Sequence, residues 1–264
     1  MKKTFIALLI SLFIFVIGVA CAICGAVNMG MSGWNEIRST VSDSSTFSAE
    51  EITSIVIDCQ ESELTILPSE TNEITVSYQM MLLKFESSVE NGALKLKTRH
   101  PFFENIHLST FTSNKITLYI PQEHACDISI DSDVCSVNID GITVKGDINA
   151  DVDAGAININ KISADSLTLS SDTGSIKLVD CTVDSFDGEA DVGAIKATSL
   201  SAQKISVKTD VGAIDMSLCG KKSDYTILCN ASLSSCNLPQ QQSGGNRSLT
   251  VSSDVGAVNV TFEE

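Results

Sequence analysis

The chain has 264 residues, enough for one long domain or two short ones, and its 43% apolar content supports a buried core, which excludes a disordered chain. Its net charge of -16 excludes nucleic acid as a partner, because the phosphate backbone would be repelled. Aromatic residues make up 5% of the chain, which leaves little material for platforms that stack on bases or sugars.

Residues 4–27 form an uncharged apolar segment that follows Lys2 and Lys3. The segment is long enough to cross a ~30 Å hydrocarbon core as a helix, and its length favours an uncleaved anchor over a signal peptide. Cleavage near Ala20 and Ala22 is an alternative, and a lipoprotein site at Cys21 is a weaker one. With the lysines inside the cell, the pattern predicts a single-pass protein of the cell membrane that contacts the lipid bilayer through residues 4–27, with its C-terminal domain extracellular.

The chain divides into four parts by composition. Residues 1–30 are the predicted cytoplasmic tip and transmembrane anchor, 31–50 a linker whose Ser/Thr-rich part at 39–49 is a tether, 51–130 a strand-rich N-terminal part of the ectodomain, and 131–264 a repeat. Strands are predicted at 55–59, 64–67, 74–78, 93–97 and 116–120. Asn91 and Gly92 form a hairpin turn signal, and Pro68 and Pro121 close strands.

Residues 131–264 repeat an Asp-x-Gly-[Ala/Ser]-[Ile/Val] tract. The glycines at 155, 174, 193 and 212 are nineteen residues apart, and Gly256 follows after forty-four. A sixth tract carries Cys135 in the place of the glycine. A fixed period near twenty is typical of a solenoid, and the longer interval predicts one degenerate coil at 232–238 and a loop at 240–246.

Three apolar columns accompany the glycines and should face inward. They are Ile148, Leu167, Phe186, Ile205 and Leu249, then Ile157, Ile176, Ile195, Ile214 and Val258, then Ile142, Ile162, Cys181, Leu200 and Cys219. Polar and apolar residues alternate between them, as in strands with one buried face. The sequence therefore predicts an all-β fold, a β-solenoid of ~19-residue coils behind a strand-rich region, with one N-terminal transmembrane helix.

Seven of the nine cysteines lie outside the membrane segment, and because seven is odd at least one of them is unpaired. Most are predicted to be small buried apolar side chains. Cys181 and Cys219, two coils apart at roughly 9 to 10 Å, are too distant for a disulfide.

The order of these elements resembles a known bacterial family. The Asn91-Gly-Ala-Leu94 turn, the strand Lys115-Ile-Thr-Leu-Tyr-Ile-Pro121 and the Asp-x-Gly-x-Ile coils are similar to the β-strand-repeat family that carries the label "putative adhesins". The resemblance covers residues 50–264 and implies a domain of unknown function, commonly behind a membrane anchor on Gram-positive envelopes. It implies no catalytic residue.

The sharpest chemical candidate is a column of aspartates, which stacking would place in one line. Carboxylates ~5 Å apart repel, so the line could hold a hard cation such as Ca2+ through metal ligands Asp153, Asp172, Asp191, Asp210 and Asp254, continued by Asp133. The favoured interpretation is structural: each Asp accepts a hydrogen bond from the backbone N–H of its own glycine in an Asx-turn. No cofactor is otherwise implied.

Few sequence features indicate catalysis. His100, His107 and His124 show no metal-ligand spacing, and the aromatic residues Phe102, Phe103 and Phe111 around His107 are expected to pack inward. The sequence thus favours a non-catalytic envelope scaffold or binding module for a protein or a glycan. The alternatives are an accessory component of envelope stress sensing and a glycan-active solenoid enzyme.

Overall fold

The computed structural model describes residues 40–81, 83–99 and 114–263, and residues Val41–Glu264 belong to one compact unit. The predicted anchor at 4–27 and the candidates His100, Phe102, Phe103, His107 and Phe111 lie outside these ranges. Within them, no helix is long and apolar enough to cross a membrane.

The described regular structure is β-strand apart from two short 3-10 turns, Ala49–Glu51 and Lys222–Asp224. This confirms the predicted all-β class. The strands are β1 Val41–Ser48, β2 Ser54–Cys59, β3 Ser62–Ser69, β4 Glu73–Met80, β5 Lys84–Glu90, β6 Ala93–Arg99, β7 Lys115–Pro121, β8 Asp127–Asp140, β9 Asp147–Asn160, β10 Ser163–Val179, β11 Thr182–Leu200, β12 Lys204–Cys219, β13 Tyr225–Cys236, β14 Gln241–Gln242 and β15 Arg247–Glu263.

The coils stack as parallel strands in the order β8, β9, β10, β11, β12, β15, β13. Gly174 pairs with Gly155 on one side and with Gly193 on the other, as the period predicts. The sheet then divides at β8, because the first half of this strand pairs with β2 and the second half with β3. The strand-rich N-terminal part therefore continues the two halves of the coils.

Each coil bends at its Asp-x-Gly tract, and the bend follows from the positions of the buried side chains. In β12, Ile205, Val207 and Thr209 face inward before the bend, and Ile214 and Met216 face inward after it. Thr209 and Ile214 are five residues apart, an odd separation that strict alternation cannot bridge. The chain must break its alternation between them, and residues 210–213 are left on the outside of the bend.

The glycine column exists because the coils approach each other closely at the bend. A Cβ added to Gly193 would overlap the carbonyl oxygen of Gly174, and a Cβ on Gly212 would overlap that of Gly193. Only glycine allows this approach of one backbone to the next. The two coils without the glycine, which carry Cys135 and Ser234 at this position, lie at the two ends of the column.

Three details differ from the sequence-based expectation. Residues 41–48, expected as part of a tether, form the antiparallel edge strand β1 against β4, with Phe47 packed on the core. The third inward column ends with Leu218 and not with Cys219, because the register between β11 and β12 shifts after Ala197. The degenerate coil, β13, does not lie between β12 and β15 but outside β15.

Candidate binding face at the bends

The residue before each glycine position points outward, and together these residues form a line across the stacked coils. We name this line the bend ribbon; in stacking order it consists of Val134, Ala154, Thr173, Val192, Val211, Val255 and Leu233. The line follows directly from the break in alternation at each bend. The structure thus exposes a position that simple alternation would bury.

The last four members of the bend ribbon are large, apolar and exposed. Val192, Val211 and Val255 expose 52%, 50% and 45% of their surface, and Leu233 exposes 81%. They lie on four neighbouring strands, so at the ~4.8 Å strand spacing they span roughly 14 Å. Isolated exposed apolar residues are common on protein surfaces, but a contiguous row of branched side chains marks a surface suited to binding.

The predicted aspartate column runs beside the bend ribbon. Asp153, Asp172, Asp191 and Asp254 are exposed and Asp210 is half-exposed. Two of them have side-chain partners among the described residues: the Lys208 Nζ lies 3.5 Å from the Asp210 carboxylate, and the Ser232 hydroxyl donates to Asp254 over 3.4 Å. The bend ribbon therefore has an acidic border along one side.

The predicted Asx-turns are not present. In the part of the chain that the structure describes, no carboxylate of this column accepts a hydrogen bond from the amide of its own glycine. The close approach of the neighbouring carbonyl oxygens explains why glycine is needed at the bend. Nor do the described residues include a group of three or more His, Cys, Asp or Glu side chains placed to hold a metal ion. Calcium binding by the aspartate column stays a prediction.

A second group of carboxylates is crowded at the N-terminal end of the stack. Asp131 pairs in register with Asp58 on one side and Asp151 on the other. Desolvation of its carboxyl raises the pKa of Asp131, and the neighbouring charges of Asp58 and Asp151 raise it further. The neighbouring strand β6 supplies partial compensation, because Lys97 pairs with the Asp58 carboxylate.

Polar ladders hold the coil halves that follow the bends. The amide of Asn158 donates to Asn138 over 3.0 Å, and Asn259 donates to Asp215 over 3.1 Å. Before the bends, Lys208 forms an ion pair with Glu189 at 2.5 Å between β12 and β11. In each of these pairs, a polar or charged group on one coil meets its partner on the next coil. The bend ribbon instead exposes apolar side chains. His124, the described one of the three candidate histidines, is half-buried and lies away from the bends.

The match of the Toastrack DUF4097 family model spans residues 52–264. The chain belongs to the Toastrack DUF4097 family. This agrees with the resemblance carried by the Asn-Gly turn, the strand that ends in Pro121 and the Asp-x-Gly coils. The chain matches no curated protein.

Two solved structures show the same fold. The chain is similar to a "putative adhesin" from Bacteroides fragilis, with a TM-score of 0.55 and 17% identity over 84% of this chain and 98% of that one. It is also similar to a "putative adhesin" from Parabacteroides distasonis, with a TM-score of 0.50 and 13% identity over 85% of this chain and 97% of that one. At such identities the likeness concerns the fold alone.

The sequence repeat predicted the column of aspartates but not the bend ribbon. The sequence does contain a pattern that corresponds to the bend ribbon, because three of the tracts read Asp-Val-Gly. Their middle residues are Val192, Val211 and Val255. Strict alternation with outward aspartates places those valines inside. The odd separation of the buried residues on either side of the bend is the feature that reveals them.

Proposed function

We propose that this protein is a non-catalytic binding module, held at the cell membrane by residues 4–27, whose bend ribbon binds a basic and apolar segment of a cell-envelope protein. The observation that carries the proposal is the row of exposed Val192, Val211, Val255 and Leu233 beside a row of carboxylates. The names of the two similar adhesins support a binding role, and their likeness covers 84% and 85% of this chain.

The apolar row supplies attraction that does not depend on sequence detail in the partner. Fully burying a Val or Leu side chain is worth about 1.5 to 3 kcal/mol, and these side chains are already partly covered, so each contributes on the order of 1 kcal/mol. Four of them together correspond to a dissociation constant near the millimolar range before other terms are counted. Binding through the apolar row alone is therefore weak.

The acidic border selects the partner. Asp191, Asp210 and Asp254 lie beside the apolar row, on a protein whose net charge is already -16. Positive side chains flanking apolar ones in the partner complement this arrangement, and an acidic partner is repelled. The attraction between exposed charges is screened by salt, so binding should weaken as ionic strength rises.

A titration of the compact unit, residues 41–264, with peptides tests the proposal. The probe is a labelled ten-residue peptide of alternating Lys and Val, and the matched peptides alternate Glu with Val or Lys with Ser. We expect fluorescence anisotropy to rise with the Lys/Val peptide, to rise less with Lys/Ser and not to rise with Glu/Val. Binding should fall at least tenfold in the double variant V192K/V211K.

The matched control is the double variant V56K/V89K, because Val56 and Val89 are exposed to 39% and 41% but lie away from the bends. It adds the same charge and should bind the Lys/Val peptide as tightly as the unaltered unit. Equal loss in both double variants would show a nonspecific charge effect and contradict the proposal. Retention of the unit by purified cell-wall polysaccharide, without any peptide binding, would point to a glycan ligand instead.

Location is a separate part of the proposal and has its own test. Before protease treatment, the full-length protein should be found in the membrane fraction. Protease added to intact cells should then cleave off its C-terminal domain. Protection in intact cells and cleavage only after lysis would contradict the extracellular placement.

A further inference from the structure

We propose that Cys229 and Cys236 form a disulfide bond that closes the outermost coil of the solenoid. The proposal is independent of the binding role. It rests on the positions of these two residues within the repeat, on the distance between their sulfur atoms and on their access to an oxidant.

The two cysteines occupy equivalent sites on the two halves of one coil. In register, Cys229 pairs with Val251 and Cys236 pairs with Val258, and both valines are buried core residues. In β13 these two inward positions bring their side chains together across the interior of the coil. The outermost coil, β13, replaces both apolar residues with cysteine in the same coil, so the replacement brings two thiols together.

The two sulfur atoms lie 2.6 Å apart, within about 0.6 Å of the ~2.05 Å bond length of a disulfide. Closure therefore needs the two sulfur atoms to approach by about 0.6 Å. The bond would join the two halves of β13 across the bend at Leu233, on a strand whose outer edge is covered by β14 only at Ile227 and Leu228.

Exposure to a dissolved oxidant distinguishes Cys229 and Cys236 from the other close pair of thiols. The sulfur atoms of Cys59 and Cys135 lie 3.6 Å apart, but both residues are almost completely buried, at 1% and 3% exposure. A small oxidant cannot reach them in the folded protein. Cys236 is half-buried and lies at the end of the sheet, so it is the sulfur that a dissolved disulfide reaches first.

The chemistry is thiol–disulfide exchange with a low-molecular-weight disulfide, R–S–S–R. The thiolate of Cys236 attacks one sulfur of the oxidant, the S–S bond of the oxidant breaks, and the first R–S⁻ leaves and takes up a proton. The thiol of Cys229 then loses its proton and attacks the Cys236 sulfur of the mixed disulfide, which releases the second R–S⁻. Two cysteine thiols are oxidised and one external disulfide is reduced to two thiols. Burial, followed by the contact with Cys236, raises the pKa of Cys229 to about 12, so the Cys229 thiol is a poor first nucleophile.

Peptide mapping of the full chain tests the bond directly. Trypsin cleaves after Lys222 and Arg247, and the peptide 223–247 contains Cys229 and Cys236 as its two cysteines. After treatment of the folded protein with oxidised glutathione and alkylation in denaturant, this peptide should have lost two hydrogen atoms and should carry no alkyl group. The peptides that contain Cys59 and Cys135 should each be alkylated.

A melting experiment measures the effect of the bond on stability. Closing a loop of this length should raise the melting temperature of the oxidised protein by roughly 5 °C over the reduced one. The double variant C229V/C236V copies the valines of the neighbouring coil and should fold with a melting temperature that does not respond to reductant. A peptide 223–247 that carries two alkyl groups after oxidation of the folded protein would overturn the proposal, and so would oxidation of Cys59 and Cys135 in its place.

Discussion

Gly212 and Gly256 lie side by side on neighbouring strands, although forty-four residues separate them in the sequence. The chain leaves β12, forms β13 and β14 at the far side, and returns so that β15 fits between β12 and β13. A Cβ at position 256 would overlap the carbonyl oxygen of Gly212, so β15 carries a glycine beside β12, whereas β13 carries Ser234 at this position and lies outermost.

This order predicts opposite outcomes for two deletions. Removal of residues 223–247 joins Lys222 to Ser248 and leaves Gly212 and Gly256 nineteen residues apart, so the stack should still fold and unfold cooperatively. Removal of residues 247–264 leaves β13 to pair with β12 and should greatly lower the melting temperature. Circular dichroism during heating measures both. The reverse ranking would show that the coils follow the order of the chain.

The inward column at position 195 supplies a test of the core. Ile195 is fully buried between Ile176 and Ile214, so Ile195→Asp buries an unpaired charge and should cost more than about 4 kcal/mol of unfolding free energy. Ala194→Asp adds the same charge at the adjacent exposed site and should cost less than about 1 kcal/mol. Urea denaturation compares the two. Equal losses would mean that the two positions face the same environment.

Buried hydroxyl groups divide into satisfied and unsatisfied ones. Ser132 donates to the carbonyl oxygen of Cys59 over 2.8 Å, whereas the buried hydroxyl of Ser171 has no hydrogen-bond partner. Ser171→Ala should therefore raise the free energy of unfolding by about 1 kcal/mol, and the alanine at the paired position, Ala190, indicates that the side chain fits. Ser132→Ala should lower it by about 1 kcal/mol. Chemical denaturation that shows both serines contributing alike would refute this distinction.

The raised pKa of Asp131 predicts a pH dependence. The folded state binds this proton more tightly than the unfolded state, so Asp131 destabilises the fold increasingly as the pH rises from the unfolded value near 4 through the higher folded value. Asp131→Asn should raise the melting temperature at pH 7, and the gain should shrink toward pH 3. Asp165→Asn, which removes the same charge from an exposed site on another coil, serves as the control. A gain that does not depend on pH would contradict the assignment.

The sequence predicted the stacked coils because the side chains that set their register repeat visibly. Ile157, Ile176, Ile195 and Ile214 occupy the same place in each period, and side chains of this kind can be buried together in only one way. The Asn91-Gly92 turn was also predictable from the sequence, and both residues adopt the positive φ angles of a tight hairpin.

Structural features that depend on backbone contacts produce no repeating pattern of side chains in the sequence. Strand β1 pairs with β4 through its backbone and packs few side chains, so its Ser/Thr-rich sequence resembles a tether. The register shift that replaces Cys219 with Leu218 follows Ser199, a residue with a positive φ angle of 53° that no composition rule marks. The position of β15 between β12 and β13 departs from the order of the chain and becomes visible only in three dimensions.

The stacking of glycine on glycine is the basis of both the fold and the bend ribbon, and the variant Gly193→Ala tests it most directly. Because the added methyl group would overlap the carbonyl oxygen of Gly174, we expect the free energy of unfolding to fall by at least about 2 kcal/mol. Ala194→Ser, which copies the paired residue Ser175 at the next exposed position, should leave it unchanged within about 0.5 kcal/mol. A Gly193→Ala protein that unfolds at the same urea concentration as the unaltered protein would contradict the close stacking of the coils.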